Sequence, residues 1–220
     1  PTDTPEAAAY KVVHSSGGIV VFEDKGKLQR LATALQARQD CKRLKAFVTW
    51  GYEPEQGETA AIAGLGSVPV LSWAALLAFG DAKGNEQELE RRIAAVRPSH
   101  CATLIYTSGT TGEPKAVMIS HDNIVFEGSA VATVLGASCG FAIDEDSEER
   151  ILSYLPLSHV AGMMVDIVMP IVTTATKPGT MAGFFARPYD LKEKAIKDRL
   201  SIAKPTVFLG VPLVWEKIAD

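Results

Sequence analysis

The chain has 220 residues, 47% hydrophobic and 22% charged, enough to bury about 70% of its unfolded surface in a core and not a composition for a disordered, collagen-like or coiled-coil chain. Lysine plus arginine number 22 against 26 aspartate plus glutamate, a net charge of −4, so there is no basic excess to grip a phosphate backbone and no nucleic-acid partner is expected. Cys41, Cys101 and Cys139 lie far apart with no CxxC or Cys/His cluster, which indicates neither a disulfide framework nor a metal site and fits a reducing, cytosolic setting.

In chain order, Thr4-Pro5 opens a helix, Thr4 as cap and Pro5 in the first turn, and Gly17-Gly18 close it. Ile19 to Phe22 predicts a buried strand. Leu28, Leu31 and Leu35 recur at helical spacing, and Ala46 to Trp50 is again strand-like. Residues 59–80 carry no charge and are long enough to cross a bilayer. Gly64, Gly66, Ser67 and Pro69 interrupt them, so the span reads instead as a loop, a short strand (Val68 to Leu71) and a helix (Trp73 to Phe79) capped by Ser72. Glu86 to Val96 predicts a helix and Ala102 to Thr107 a strand. Ser120 is placed to cap a helix through Ile124, Val131 and Leu135, with Asp122 near its positive dipole end. The run Asp144 to Arg150 reads as a solvated acidic loop. Asp190 is expected to start a helix with Glu193 completing a capping box, Lys204-Pro205 to end it, and Thr206 to Leu209 to form a strand. Gly210-Val211-Pro212 then turns into a last helix, Pro212 in its first turn. Helices alternating with short apolar strands predict an α/β layered fold with a largely parallel sheet.

The chemistry concentrates in residues 104–115, LIYTSGTTGEPK. An apolar strand runs into a loop with Thr107, Ser108, Thr110 and Thr111, the glycines Gly109 and Gly112, then Glu113, Pro114 and Lys115. Glycines let consecutive backbone N–H groups turn toward one anion, the hydroxyls add short donors, and Lys115 adds a full charge. Such groups suit a polyphosphate. The loop is not a Walker A motif, because Ala116 rather than Ser or Thr follows the lysine, and no GxGxxG is present. On composition alone a plain Gly/Thr-rich surface loop remains an equal reading.

LIYTSGTTGEPKAVMISHDN (residues 104–123) closely resembles the phosphate-binding signature of the adenylate-forming, or AMP-binding, enzymes, which include acyl-CoA synthetases, luciferases and peptide-synthetase adenylation domains. SYLPLSHVAGMMVDIVM (153–169) looks like their downstream Leu-Pro-Leu-x-His motif. KPTVFLGVPLVWEKI (204–218) looks like the strand and helix that follow. The serine before the histidine, the region of Asp166 and the GVPxxWEK ending most resemble the bubblegum-type long-chain fatty acyl-CoA synthetases. The resemblance is strong from Cys101 onward and weaker across residues 51–68. One departure is Ala116, where the family usually has glycine. A methyl is harmless there if φ is negative and costly if it is positive.

The resemblance implies an incomplete, layered parallel-sheet N-terminal domain of the adenylate-forming fold. Residues 1–220 would be part of that AMP-binding domain, with the C-terminal domain outside this chain. It also implies a two-step reaction: a long-chain fatty acid reacts with ATP to give an acyl-adenylate and pyrophosphate, then coenzyme A takes the acyl group. Thr107, Ser108, Gly109, Thr110, Thr111, Gly112, Glu113, Pro114 and Lys115 would hold the nucleotide phosphates. His159 would lie near the acyl and nucleotide region, although a structural histidine is the competing reading. Met163, Met164 and Met169 would suit an adaptable acyl surface or ordinary packing equally, and the Gly210 turn would lie near the acyl pocket. Mg²⁺ is implied as a cofactor, but the family's Tyr-Gly-x-x-Glu, Thr-Gly-Asp and late lysine segments are not in these 220 residues. Two other readings stay open: a non-catalytic nucleotide- or partner-binding remnant, and an adenylate-forming enzyme for another carboxylic acid. The setting implied is cytoplasmic, with peripheral association at the endoplasmic reticulum or other membranes because the acids partition into lipid.

Overall fold

Thr4 begins the first helix as its position predicts. Its hydroxyl accepts the Ala7 N–H at 3.2 Å, one of the donors a helix start leaves unpaired, and α1 runs Pro5–His14. The protein is described here by a computed structural model, which covers residues 3–38, 40–107, 114–139, 148–176, 179–187, 190 and 195–219. The chain divides into two compact units, Pro1–Val96 with Tyr106–Val117 and Arg97–Ile105 with Met118–Asp220.

In the first unit, β1 (Ile19–Phe22) leads to α2 (Lys25–Gln36). The Asp24 carboxylate caps α2 by accepting from the Lys27 N–H at 2.7 Å. Leu28, Leu31 and Leu35, spaced to share one helix face, are all buried in a core with Phe22, Phe47, Val68 and Val70. Strand β2 (Ala46–Thr49) is buried at all four positions. It is central because β1 and β4 (Gly66–Ser72) pair with it on either side, both parallel. The sheet order is β1-β2-β4-β3.

Two expectations change here. Strand β3 (Thr59–Ile62) forms where a loop was expected, antiparallel to β4. Its alternating burial follows the pleat. Gly64 and Gly66, at φ of 79° and 75°, are the turn that reverses the chain rather than breakers that exclude a strand. Strand β1 is a sheet edge rather than buried throughout. Ile19 and Val21 are each 51% exposed, and Phe22 alone of its four residues is buried. Helices α3 (Trp73–Lys83) and α4 (Glu86–Ala94) follow, capped by Ser72 and Asn85. Neither contains a buried residue, and α4 stops two residues before the expected Val96.

Strands β5 (Cys101–Thr107) and β6 (Lys115–Ser120) pair with each other. The second was not anticipated, since Lys115 read as the end of a loop. Helix α5 (His121–Cys139) starts on a reciprocal box: the Ser120 hydroxyl accepts from the Asn123 N–H, and the Asn123 side-chain Oδ1 accepts from the Ser120 N–H, both at 3.1 Å.

In the second unit, β7 (Glu148–Ser153) and β8 (Thr180–Phe185) run parallel from Glu148↔Thr180 to Ser153↔Phe185. This corrects the end of the expected acidic loop. Residues 144–147 lie outside the described residues, while Glu148, Glu149 and Arg150 belong to β7. Their charges concealed the strand because each has a specific placement. Glu149 is buried and accepts from the Thr206 hydroxyl, and the Arg150 guanidinium lies 4.6 Å from the centre of the Phe184 ring. Between β7 and β8 come a short α6 (Val160–Gly162), a π-helical stretch (Met163–Val168) and α7 (Met169–Thr176).

Residues 191–194, over which a helix from Asp190 was expected, lie outside the described residues. Helix α8 runs Ile196–Ala203, and Asp190 is fully buried ahead of it, bonded to Arg187 at 2.8 Å and Arg199 at 2.9 Å. Burial of a carboxylate demands such partners. Glu193 lies outside the described residues. Lys204 closes α8 in the left-handed conformation (φ 45°, ψ 58°) just before Pro205. The expected strand over Thr206 to Leu209 reduces to one parallel bridge, Val207↔Ile151. Pro212 starts α9 (Pro212–Ala219) as expected.

Candidate functional site

Two parts of the chain carry the predicted site residues. The first is the β5–loop–β6 segment. Tyr106, the residue before Thr107, is held by α1: its hydroxyl lies 2.9 Å from His14 Nδ1 and 3.4 Å from the Lys11 carbonyl oxygen it donates to. The Lys11 ammonium stands 5.4 Å from its ring centre, and burial pushes the Tyr106 phenol up. Thr107, the last residue of β5, directs its hydroxyl to the Lys115 carbonyl at 3.5 Å, so the two ends of the loop meet. Ser108, Gly109, Thr110, Thr111, Gly112 and Glu113 lie outside the described residues. Pro114 is half-buried. Lys115 is exposed as the first residue of β6, and no carboxylate among the described residues pairs with its ammonium. An exposed cation that pairs with no carboxylate among the described residues is suited to an incoming anion. Ala116 lies in the extended β6 backbone, outside the left-handed region. Its methyl in place of a hydrogen therefore strains nothing.

The second part is the end of β7 and the segment after it. His159 is exposed and acts as the N-cap of α6: its Nδ1 accepts the Ala161 N–H at 3.2 Å. With Nδ1 used as an acceptor the neutral ring carries its proton on Nε2, which leaves one N–H donor for a ligand. The cap and the ligand role are thus compatible on one ring. The turn before it is tight. His159 N–H donates to the Pro156 carbonyl at 2.8 Å, and a Cβ on Gly162 would lie 2.8 Å from that same carbonyl oxygen. Only glycine fits there.

Sequence reasoning passed over the residues that tie this segment down. The Ser153 hydroxyl donates to Asp166 Oδ2 at 2.7 Å. Asp166 sits in the π-helical stretch, where burial pushes its carboxyl up and the Ser153 bond partly offsets that. Such stretches recur at functional sites. Next along, the Tyr154 hydroxyl donates to the Leu209 carbonyl at 2.9 Å and accepts the Val211 N–H at 3.3 Å. Its partners lie 55 and 57 residues on, so no local sequence signal marks it. Met164 and Met169 are buried in packed surroundings, which supports ordinary core packing for those two.

Among the described residues no group of three or more His, Cys, Asp or Glu side chains could hold a metal ion. No helix among the described residues is long and apolar enough to cross a membrane.

The family model described as AMP-binding enzyme matches residues 1–220. Over its whole length the chain is 37% identical to the long-chain-fatty-acid–CoA ligase ACSBG2 of Gallus gallus, 35% to that of Homo sapiens, and 32% to ACSBG1 of Bos taurus. It spans 26%, 29% and 27% of those proteins. Among solved structures, the luciferase-like enzyme of the mealworm Zophobas morio superposes with a TM-score of 0.63 at 16% identity, over 100% of this chain and 42% of that one. The A-PCP didomain of carboxylic acid reductase from Segniliparus rugosus gives 0.61 at 21% identity, over 99% of this chain and 28% of that one. These superpositions support the α/β fold of an adenylate-forming enzyme domain.

Proposed function

Because this chain belongs to the AMP-binding enzyme family, we propose that it is part of the N-terminal domain of an ATP-dependent long-chain fatty acid–CoA ligase. The observation that carries the reading is 37% identity to a long-chain-fatty-acid–CoA ligase over the whole chain, and it is supported by an exposed Lys115 that pairs with no carboxylate among the described residues.

The first step is attack by a carboxylate oxygen of the fatty acid on the α-phosphorus of ATP. A C–O–P bond forms, the Pα–O–Pβ bond breaks, and pyrophosphate carries away the electron pair. The protein's task is electrostatic, to hold phosphate oxygens in line as charge moves onto pyrophosphate. Lys115 and Thr107, with Ser108 to Pro114 between them, are assigned to the β- and γ-phosphates. In the second step the thiol sulfur of coenzyme A attacks the adenylate carbonyl. A C–S bond forms, the acyl C–O bond breaks, AMP leaves, and the thiol proton passes to solvent. His159 Nε2–H is assigned to an oxygen of the adenylate. Mg²⁺ when present would neutralise phosphate charge. The reaction is placed in the cytoplasm and at membrane surfaces, where the acids partition.

The test is exchange of labelled pyrophosphate into ATP by the protein as its gene encodes it. Palmitate-dependent exchange is expected. Exchange with short or aromatic acids only would replace the long-chain reading with another acid, and ATP binding without exchange under any acid would leave a nucleotide-binding role in its place.

A further inference from the structure

The end of β7 is a junction. In open α/β sheets, ligands bind beyond the carboxyl ends of parallel strands. Here those ends are Ser153 on β7, Phe185 on β8, and the chain beyond the parallel bridge at Val207. Gly210 comes three residues past that bridge, and Tyr154 and Trp215 hold the segment around it. The Tyr154 hydroxyl spans it, donating to Leu209 and accepting from Val211. Trp215 Nε1–H donates to the Gly210 carbonyl at 2.9 Å. The Phe208 ring packs on both aromatics, 5.4 Å from Tyr154 and 5.3 Å from Trp215. A Cβ on Gly210 would sit 2.4 Å from Trp215 Nε1, so the segment and the indole fit only without a side chain there.

We propose that Tyr154 is a positioning residue that fixes the Leu209–Val211 segment against the carboxyl end of β7 and thereby sets which carboxylic acids the site accepts. The phenol ring supplies packing and the hydroxyl supplies both bonds, so removing one oxygen frees the segment without emptying the core. The effect is expected on the organic acid rather than on the nucleotide phosphates, because the phosphates are assigned to Thr107 and Lys115, which lie on β5 and β6. The part concerning acid selection rests on the proposed ligase activity; the clamp itself does not.

The experiment uses the protein as its gene encodes it, with Trp50 and Trp73 replaced by Phe so that Trp215 is the reporter within this segment. Tyr154→Phe is expected to shift Trp215 emission to longer wavelength and raise its quenching by iodide. It is also expected to raise KM for long-chain acids by about three- to tenfold, the loss of one net hydrogen bond, with KM for ATP unchanged. Gly210→Ala, which displaces the indole directly, is expected to reproduce both changes. Unchanged Trp215 emission and quenching in both variants would overturn the clamp. Equal rises in KM for acid and ATP, or none in either, would overturn acid selection. If the unmodified protein shows no acid-dependent exchange, the ligase reading and acid selection fall together, and the Trp215 signal still decides the clamp.

Discussion

Replacing Lys115 with alanine separates a ligand-binding role from a structural one. The side chain is exposed and pairs with no carboxylate among the described residues, so its removal leaves no buried charge behind. Its backbone remains in β6. Surface substitutions of this kind change stability by no more than about 0.5 kcal/mol, and the melting curve should superimpose on that of the parent. The ligand side is different. A charge-assisted bond to a phosphate is worth ~1.5–3 kcal/mol, which corresponds to about a 10- to 150-fold loss in kcat/KM for ATP. The assay is pyrophosphate–ATP exchange over a range of ATP concentrations beside a thermal melt. Unchanged exchange would refute the phosphate role. A large fall in melting temperature would refute the reading of Lys115 as a surface side chain outside the packing.

Gly162→Ala should destabilise by about 1–3 kcal/mol, because the new Cβ would meet the Pro156 carbonyl at 2.8 Å; a thermal melt should fall by at least about 4 °C for a unit of ~100 residues, and an unchanged melt would show that the turn can open. His159→Asn keeps a capping acceptor and removes the imidazole, so its melt should match the parent while acyl-adenylate formation drops about tenfold, the value of one ligand hydrogen bond. Parent-like activity in that variant would leave His159 as a cap alone. Asp190, held down to about 2 by Arg187 first and Arg199, contributes stability that is full above its ordinary 3.8 and is lost as pH falls toward about 2. Denaturant midpoints should therefore decline across that window more steeply in the parent than in Asp190→Asn, and identical profiles would contradict the ion-pair account.

What the sequence revealed tracks how local each determinant is. Thr4, Ser72 and Ser120 cap their helices through bonds to a residue three positions on, and Leu28, Leu31 and Leu35 declare a buried face by spacing alone. The motif at residues 104–115 identified the family without any tertiary information. The failures involve partners distant in sequence. Strand β8 was unread because a parallel partner 32 positions away at Glu148↔Thr180 leaves no local turn signal. Glu149 looked solvated because its partner, Thr206, is 57 residues on. The burial of Asp190 against two arginines, one of them nine residues ahead, had no local signal either. The same distance hid Tyr154, whose two bonds reach 55 and 57 residues forward.

Everything proposed for the site turns on activation of a fatty carboxylate at the α-phosphorus of ATP. The decisive experiment incubates the protein as its gene encodes it with ATP, coenzyme A and palmitate labelled with ¹⁸O in its carboxyl group, followed by mass spectrometry of the products. Palmitoyl-CoA is expected together with AMP that carries one ¹⁸O from the acid. Label appearing in inorganic phosphate alongside ADP would contradict it, because the acid would then have attacked the γ-phosphorus instead.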